Sequence, residues 1–261
     1  MKHLELRFDD GVTTVVMNRP EVRNAFNDEV IEEMTAVFSE LAERAEVRCI
    51  VLAGNGPAFC AGADLNWMKR MAGYSRDQNL ADAAALANML RAIYRCPKPT
   101  IARIQGDVYA GGTGLAAVCD IAVTVDTAQF CLSEVKLGLI PATISPYVIR
   151  AMGARAAHRY FLTAERFSAA EALRIGFVHE VVTADQLDGK VAEIAQSLVQ
   201  AGPAAVKACK ELVQDVAGHE ITQLLIDGTV QGIADIRVSE EGREGIQAFL
   251  GKRKPAWLAR E

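Results

Sequence analysis

Two segments rich in small residues constrain the fold of this chain more than any other feature. The first covers residues 59–64 and follows an apolar, strand-like run at 49–53. The second covers residues 106–114 and follows a similar run at 100–104. Glycine and alanine let a ligand approach the backbone closely, so that peptide N–H groups can bind it. The same composition is also expected where a helix packs tightly against a strand.

A single carboxylate accompanies these segments. Glu134 ends the next strand-like segment, residues 129–134. Two peptide N–H groups aimed at one point form an oxyanion hole, and with one carboxylate they are suited to enolate chemistry. Plainer interpretations stay open: tight packing for 106–118, a helix cap at Asp64, and a surface or ion-paired role for Glu134.

Alternating strands and helices in the first half predict an α/β fold with largely parallel strands. From about residue 145 the strand signal fades, and we predict a core over residues 1–200 and a helical region over 201–261. The predicted helices are residues 27–44, 77–95, 112–119, 145–163, 168–175, 184–200, 203–217, 219–238 and 241–249.

Composition and motifs exclude several classes of function. The chain has 261 residues, a net charge of −5 and no basic block interleaved with aromatic residues, so nucleic acid is a poor candidate partner. No apolar stretch reaches the roughly 18 residues of a membrane span. The four histidines lack metal-ligand spacing, and no G-x-S-x-G or Walker lysine occurs. Six scattered cysteines and the absence of a signal sequence favour a cytoplasmic protein with reduced thiols.

The order of these segments resembles the crotonase, or enoyl-CoA hydratase/isomerase, superfamily over essentially the whole chain. The resemblance implies a crotonase-like spiral of ββα turns, with a helical C-terminal trimerisation region that forms homotrimers or hexamers. The matching segments are residues 18–26, 58–65, 97–102, 106–120, 129–134, 137–141 and 248–255.

The resemblance also implies an acyl-CoA site, in which CoA is part of the substrate and no separate cofactor or metal is needed. The thioester oxygen would accept hydrogen bonds from the N–H groups of Ala63 and Gly111, with Glu134 as the acid/base. Phe249 and Lys252 match positions that reach CoA, commonly from a neighbouring subunit. Further substrate contacts are expected at Val22, Arg23, Ala25, Ala61, Asp64, Leu65, Tyr109 and Gly114.

Gly114 departs from the family pattern. Hydratases of the family typically carry two catalytic glutamates; the second matches Glu134, and the first should lie three residues after Gly111, where this chain has Gly114. Glu134 must then serve both proton transfers or share them with another group. Gly114→Glu is the substitution that tests this departure: a strong increase in the rate of crotonyl-CoA hydration would mean that the two-glutamate arrangement has been restored.

The sequences of residues 63–68, 109–114 and 139–147 are similar to those of a bacterial subgroup, the methylglutaconyl-CoA hydratases and their relatives in acyclic-terpene breakdown. This similarity predicts reversible hydration of 3-methylglutaconyl-CoA to 3-hydroxy-3-methylglutaryl-CoA in leucine or isovalerate catabolism. The alternatives are an enoyl-CoA isomerase, another short-chain enoyl-CoA hydratase with one glutamate, and a CoA-binding scaffold without turnover. Candidate partners for the distal carboxylate of the substrate are Lys69, Arg70, Tyr109, Ser145 and Tyr147.

Overall fold

The computed structural model describes residues 1–258, which contain two β-sheets. The larger sheet has the strand order β1-β2-β3-β5-β7-β10, and the smaller has the order β4-β6-β8-β9. The strands are β1 (Leu4–Asp9), β2 (Val12–Met17), β3 (Cys49–Gly54), β4 (Ala58–Cys60), β5 (Thr100–Ile104), β6 (Asp107–Tyr109), β7 (Ile121–Val125), β8 (Gln129–Cys131), β9 (Phe167–Ser168) and β10 (Glu180–Val182).

The helices fall close to their predicted positions, and all nine predicted ones are confirmed to within a few residues. The helices are α1 (Asp28–Glu43), α2 (Leu65–Met71), α3 (Arg76–Tyr94), α4 (Gly111–Val118), α5 (Ser145–Thr163), α6 (Ala169–Arg174), α7 (Leu187–Gln200), α8 (Pro203–Val216), α9 (Gln223–Val238) and α10 (Glu240–Leu250). Helix α1 shows why the pattern is readable: the Asn27 side chain accepts a hydrogen bond from the Val30 N–H, and six apolar residues of one face are buried.

A repeated β-β-helix unit organises the first half of the chain. Strands β3, β5 and β7 lie side by side and parallel in the larger sheet, and each is followed by a short strand of the smaller sheet, β4, β6 or β8. These short strands are also parallel to one another. Their carboxyl ends therefore meet at one edge. The α/β fold of ββα turns is confirmed.

Two local expectations differ from the structure. The segments rich in small residues contain short strands, β4 and β6, which the sequence did not predict. The strand expected to run to Glu134 ends at Cys131, and Glu134 begins a 3₁₀ helix, Glu134–Leu137. The chain turns at Ser133, where φ is −87° and ψ is 0°, values outside the strand range.

The C-terminal helices pack at the opposite end of α4 from Gly111. The Lys210 side chain of α8 donates to Asp120, at 2.8 Å, and to the carbonyl of Lys98. Helix α10 in turn packs on α8 and α9, with the Glu241 carboxylate accepting the N–H groups of Ala204 and Ala205. The predicted division at residue 200 falls between α7 and α8, and the assignment of two regions stays a prediction.

Helix α9 leaves an apolar face exposed. Five of its large apolar side chains are between 42% and 83% exposed: Leu224, Ile226, Val230, Ile233 and Val238. A patch of this kind is typical of surfaces that are covered in an assembly, so it is compatible with the predicted trimer or hexamer, which remains a prediction.

Within residues 1–258, none of the helices combines the length and apolar character that crossing a membrane requires. The same residues contain no group of three His, Cys, Asp or Glu side chains that could hold a metal ion.

Candidate active site

Ala63 carries the first of two peptide N–H groups that face away from the surrounding backbone. Phe26 and Ala63 form a parallel bridge, in which the Phe26 N–H donates to Gly62 and the Asp64 N–H donates to Phe26. In such a bridge the central residue turns its own N–H to the other side. The Ala63 N–H accordingly has no acceptor among the described residues.

Gly111 carries the second N–H. It is the first residue of α4, where helix N–H groups have no partner within the helix, and its N–H has no acceptor among residues 1–258. The preceding residue, Ala110, is held at φ 46° and ψ −122°, with its own N–H bonded to the Cys131 carbonyl at 2.8 Å. A positive φ in a non-glycine residue costs about 1–3 kcal/mol and is concentrated at functional sites. This strained turn aims the Gly111 N–H.

Phe26 joins the two halves, a role that its position in the sequence did not reveal. Its backbone bridges Ala63, and its ring lies under Gly111, so that a Cβ at Gly111 would be only 2.4 Å from Phe26 Cζ. A Cβ at Gly62 would lie 3.4 Å from the Gly111 nitrogen and 3.0 Å from Ala110 Cβ. The two segments therefore touch, and both interpretations hold: the small residues pack closely, and they bring two free N–H groups together.

The pairing of β8 with β6 places the segment of Glu134 next to the segment of Gly111. Cys131 is paired with Tyr109, and Glu134 follows three residues after Cys131, as Gly111 follows two residues after Tyr109. One carboxylate oxygen of Glu134, Oε2, is buried without a hydrogen-bond partner in the described residues. Burial raises the pKa of the Glu134 carboxyl above its usual value. A carboxylate in this state readily accepts and returns a proton.

Gly114 is buried, and the space beside it is occupied. A Cβ built at Gly114 would lie 2.3 Å from Cγ2 and 2.8 Å from Cβ of Ile144, distances that real side chains do not tolerate. A side chain at position 114 therefore fits only if α4 or the start of α5 moves, and the outcome of Gly114→Glu stays untested.

The predicted CoA-binding segment at residues 22–25 is fixed to the oxyanion segment by a buried ion pair. Arg19 donates to Asp64 Oδ2 at 2.9 Å, with the two side chains 14% and 7% exposed, and it also donates to the Ala25 carbonyl. Asp64 additionally caps α2 through the N–H groups of Asn66 and Trp67. Its carboxylate is thus used within the protein, as the plainer interpretation predicted.

The other predicted contacts of this segment line its surface. Leu65 is 74% exposed at the start of α2. The Arg23 side chain is exposed, and its carbonyl accepts the N–H of Ala61 at 3.0 Å. Val22 ends the 3₁₀ helix Pro20–Val22 and is half-buried. These positions are accessible to a ligand, and their role as substrate contacts stays a prediction.

Tyr109 is the candidate for the distal carboxylate that ends β6, two residues before Gly111. The Arg166 guanidinium sits 5.4 Å from the centre of the Tyr109 ring, and it makes no ion pair to a described residue. Nothing in the sequence singled out Arg166, which follows α5 and is separated from Tyr109 by more than fifty positions. Burial raises the pKa of the Tyr109 hydroxyl, and Arg166 opposes that rise.

The remaining candidates for the distal carboxylate are engaged elsewhere or lie on the surface. Arg70 pairs with Asp28 at 2.7 Å, Tyr147 packs against Tyr94, and the Ser145 hydroxyl donates to the Ala142 carbonyl. Lys69 is exposed on α2.

Phe249 and Lys252 are not brought to this site within one chain. Phe249 is 83% exposed on α10, which packs on α8 and α9. Helix α8 is anchored at the far end of α4, whose eight residues span about 12 Å. Their predicted contact with CoA would therefore have to come from a neighbouring subunit, and it stays a prediction.

Comparison with known proteins agrees with this geometry. The enoyl-CoA hydratase/isomerase family model matches residues 7–260. The chain belongs to the enoyl-CoA hydratase/isomerase family. An enoyl-CoA hydratase of Shewanella pealeana is 44% identical, with a TM-score of 0.95 over 98% of this chain and 96% of that one. AtuE of Pseudomonas aeruginosa is 35% identical, with a TM-score of 0.94 over 98% and 100% of the two chains.

Curated relatives lead to the same family. The enoyl-CoA hydratase ACTT6 of Alternaria alternata is 36% identical over 95% of this chain and 81% of its own length. The crotonase resemblance of the sequence is thereby confirmed. The comparisons establish the family, and the catalytic roles of Ala63, Gly111 and Glu134 stay predictions.

Proposed function

We propose that the protein catalyses the reversible hydration of 3-methylglutaconyl-CoA to 3-hydroxy-3-methylglutaryl-CoA. The observation that carries the proposal is Glu134 Oε2, a carboxylate oxygen that is buried without a hydrogen-bond partner in the described residues. Its segment is paired with the segment that leads to Gly111, and the peptide N–H groups of Ala63 and Gly111 also lack acceptors there. That set stabilises an enolate and moves one proton at a time, which is what addition of water to an enoyl thioester requires.

In the proposed mechanism the thioester oxygen accepts hydrogen bonds from Ala63 and Gly111. Each donor of this kind is worth about 2.7–4 kcal/mol in the transition state. The Glu134 carboxylate takes a proton from water as the oxygen adds to C3, and electron density moves through C2 to the thioester oxygen. Protonated Glu134 then gives the proton to C2 on the same face, and the carboxylate is regenerated.

Arg166 is the side chain that we assign to the distal carboxylate of the substrate. Its guanidinium stands over Tyr109, two residues before the Gly111 donor, and it has no carboxylate partner among the described residues. A guanidinium binds a carboxylate in a two-pronged manner. The substrate would thus be held at one end by the oxyanion hole and at the other by Arg166.

Two other enzymatic functions are compatible with a single catalytic carboxylate. An enoyl-CoA isomerase also needs only one group to move a proton between carbons, and another short-chain enoyl-CoA could be the hydrated substrate. A CoA-binding scaffold without turnover is the non-enzymatic alternative. Glu134 Oε2 favours an enzyme, because burying a carboxylate oxygen without a hydrogen-bond partner costs stability without any structural gain.

The test is to assay the purified protein with 3-methylglutaconyl-CoA, crotonyl-CoA and a 3-enoyl-CoA. We expect the highest kcat/KM for hydration of 3-methylglutaconyl-CoA. Glu134→Gln keeps the size and removes the proton function, so kcat should fall by about 10²–10⁴-fold. Arg166→Met should raise KM for 3-methylglutaconyl-CoA only. Isomerisation of the 3-enoyl-CoA without hydration of any substrate would refute the proposal in favour of the isomerase.

The biological setting follows from the proposed reaction. Such an enzyme would act in leucine or isovalerate catabolism, or in acyclic-terpene breakdown, in the cytoplasm and as a homotrimer or hexamer. It would use no cofactor apart from the CoA of its substrate.

A further inference from the structure

Ile144 occupies the place of the side chain that residue 114 lacks. A Cβ at Gly114 would overlap Cγ2 of Ile144 at 2.3 Å and its Cβ at 2.8 Å. The position of Ile144 Cβ is set by the backbone, so a change of rotamer cannot remove the second contact. Ile144 is the residue before α5 and is 2% exposed, which means that its side chain is held in place.

Ile144 packs against α4 at Gly114, and in the proposed function an acyl chain bound at Gly111 would extend along that face of the helix. Gly111 and Gly114 are three residues apart on α4, so they share one face of the helix and are separated by about 4.5 Å along its axis. An acyl group whose carbonyl is held at Gly111 has C3 about two bonds away. The helix face at Gly114 offers that atom no side chain, and the aliphatic Ile144 fills the space behind it.

We propose that Ile144 determines acyl selectivity by forming an apolar wall against the methyl group on C3 of the substrate. The inference rests on the proposed function for the identity of the substrate, and it deepens that function by naming the residue that recognises the branch. An aliphatic wall binds a methyl group better than it binds the water that would occupy the same place beside an unbranched chain. One methyl group in such a pocket is worth about 10–200-fold in discrimination.

Binding of two saturated thioesters tests the role of Ile144 without any need for turnover. Isovaleryl-CoA and butyryl-CoA differ only by the methyl group on C3. We expect the wild-type protein to bind isovaleryl-CoA at least roughly 10-fold more tightly, and Ile144→Ala to reduce that preference to about 3-fold or less. The matched control is Val148→Ala, which truncates a fully buried residue one turn further along α5 and should keep the wild-type preference.

Either of two results would overturn the proposal: a wild-type preference that survives in folded Ile144→Ala, or an equal loss of preference in Val148→Ala. The outcome is separate from that of the proposed reaction. If 3-methylglutaconyl-CoA is not hydrated but the methyl preference depends on Ile144, the reaction is wrong and the wall is correct. If hydration is found and the preference does not depend on Ile144, the reverse holds.

The steric pairing is tested by thermal unfolding. Gly114→Ala should lower Tm by roughly 2–12 °C, because overpacking costs about 1–3 kcal/mol. In the background of Ile144→Gly, which removes both colliding atoms at a position where glycine is tolerated, the same substitution should leave Tm nearly unchanged. Gly232→Ala, whose added methyl group meets no atom within 4 Å, is the control for helix propensity. An equal loss in both backgrounds would contradict the pairing.

Discussion

Removal of the Arg19 side chain should disturb the oxyanion hole from a distance. The Arg19 guanidinium donates to Asp64 Oδ2 at 2.9 Å, and the two side chains are only 14% and 7% exposed. Arg19→Met keeps the length of the side chain and removes every donor. It leaves the Asp64 carboxylate buried, with only the N–H groups of Asn66 and Trp67 as partners.

The magnitude follows from burial. Removing one partner of a buried ion pair costs about 3–5 kcal/mol, and the two remaining N–H donors place Arg19→Met near the lower end, at about 3 kcal/mol. For a chain of this size that corresponds to a fall in Tm of roughly 6–12 °C. The control is Arg70→Met, which breaks a surface pair whose side chains are 48% and 57% exposed and should cost less than about 1 kcal/mol.

A kinetic effect should accompany the loss of stability. Asp64 directly follows Ala63, and its carboxylate fixes both the start of α2 and the loop at Ala25 through Arg19. Misplacement of a reacting group by 1 Å can cost about 10²-fold in rate, so kcat should fall by roughly 10–100-fold, a larger change than any in KM. Thermal unfolding and steady-state kinetics on the same preparations are the assay. The reasoning would be refuted if the Arg19→Met variant had the same Tm as the Arg70→Met variant, or if it retained the wild-type kcat.

The dependence of stability on pH below neutrality gives an independent test of the Arg19–Asp64 ion pair. Burial alone would raise the pKa of Asp64, but hydrogen bonds from Arg19, Asn66 and Trp67 outweigh it and lower the pKa. A lowered pKa contributes stability that is present above the unfolded value of about 3.9 and is lost as pH falls through the folded value. Arg19→Met removes the largest of the lowering causes, so this contribution should shrink and acid unfolding should begin at a higher pH.

Three further predictions concern the site itself. Glu134→Gln should raise Tm at pH 8 and leave it unchanged near pH 4. The pKa of Glu134 is raised in the folded state, so its ionisation destabilises the fold only above the pKa of a glutamate in the unfolded chain. Measurement of Tm from pH 4 to pH 8 checks this sign. Gly111→Ala should lower kcat by about 10²–10³-fold, since its Cβ would meet Phe26 Cζ at 2.4 Å, and Phe26→Leu in the same chain should recover part of the loss. Arg166→Met should raise KM for 3-methylglutaconyl-CoA by at least roughly 10-fold and leave KM for crotonyl-CoA unchanged, as steady-state kinetics will show.

Nine of the helices and five strands of the larger sheet could be predicted because their patterns are local, whereas β10 of that sheet was not predicted. Helix α1 has a capping Asn27 and a clean apolar face, and β3 is buried over its whole length. The smaller sheet could not be predicted, because strands of three residues such as β4 and β6 are too short to show a period. Its absence from the prediction is also why Glu134 was placed on a strand.

The free N–H groups of Ala63 and Gly111 were predicted from the family resemblance, whereas the residues that hold them in place were not. Phe26 supports both halves through its backbone and its ring, and Arg19 reaches Asp64 across 45 positions of sequence. Pairs so far apart leave no local pattern, since chain folding alone brings them together. The N–H groups of Ala63 and Gly111 lie in segments whose small residues form a distinctive sequence pattern. The residues that hold them in place, Phe26 and Arg19, lie in segments without such a pattern.

Gly114 also shows a difference between what the sequence suggests and what the structure shows. From the sequence it is a position that lacks a carboxylate, which suggests that a carboxylate could be put back. The structure makes it one half of a packed pair, because Ile144, thirty positions later, fills the volume that any side chain at 114 would need. Gly114 and Ile144 therefore determine the shape of this part of the site together. A single substitution at Gly114 would have to displace Ile144 to introduce a second acid, so in the proposed hydration Glu134 would carry the proton in both steps.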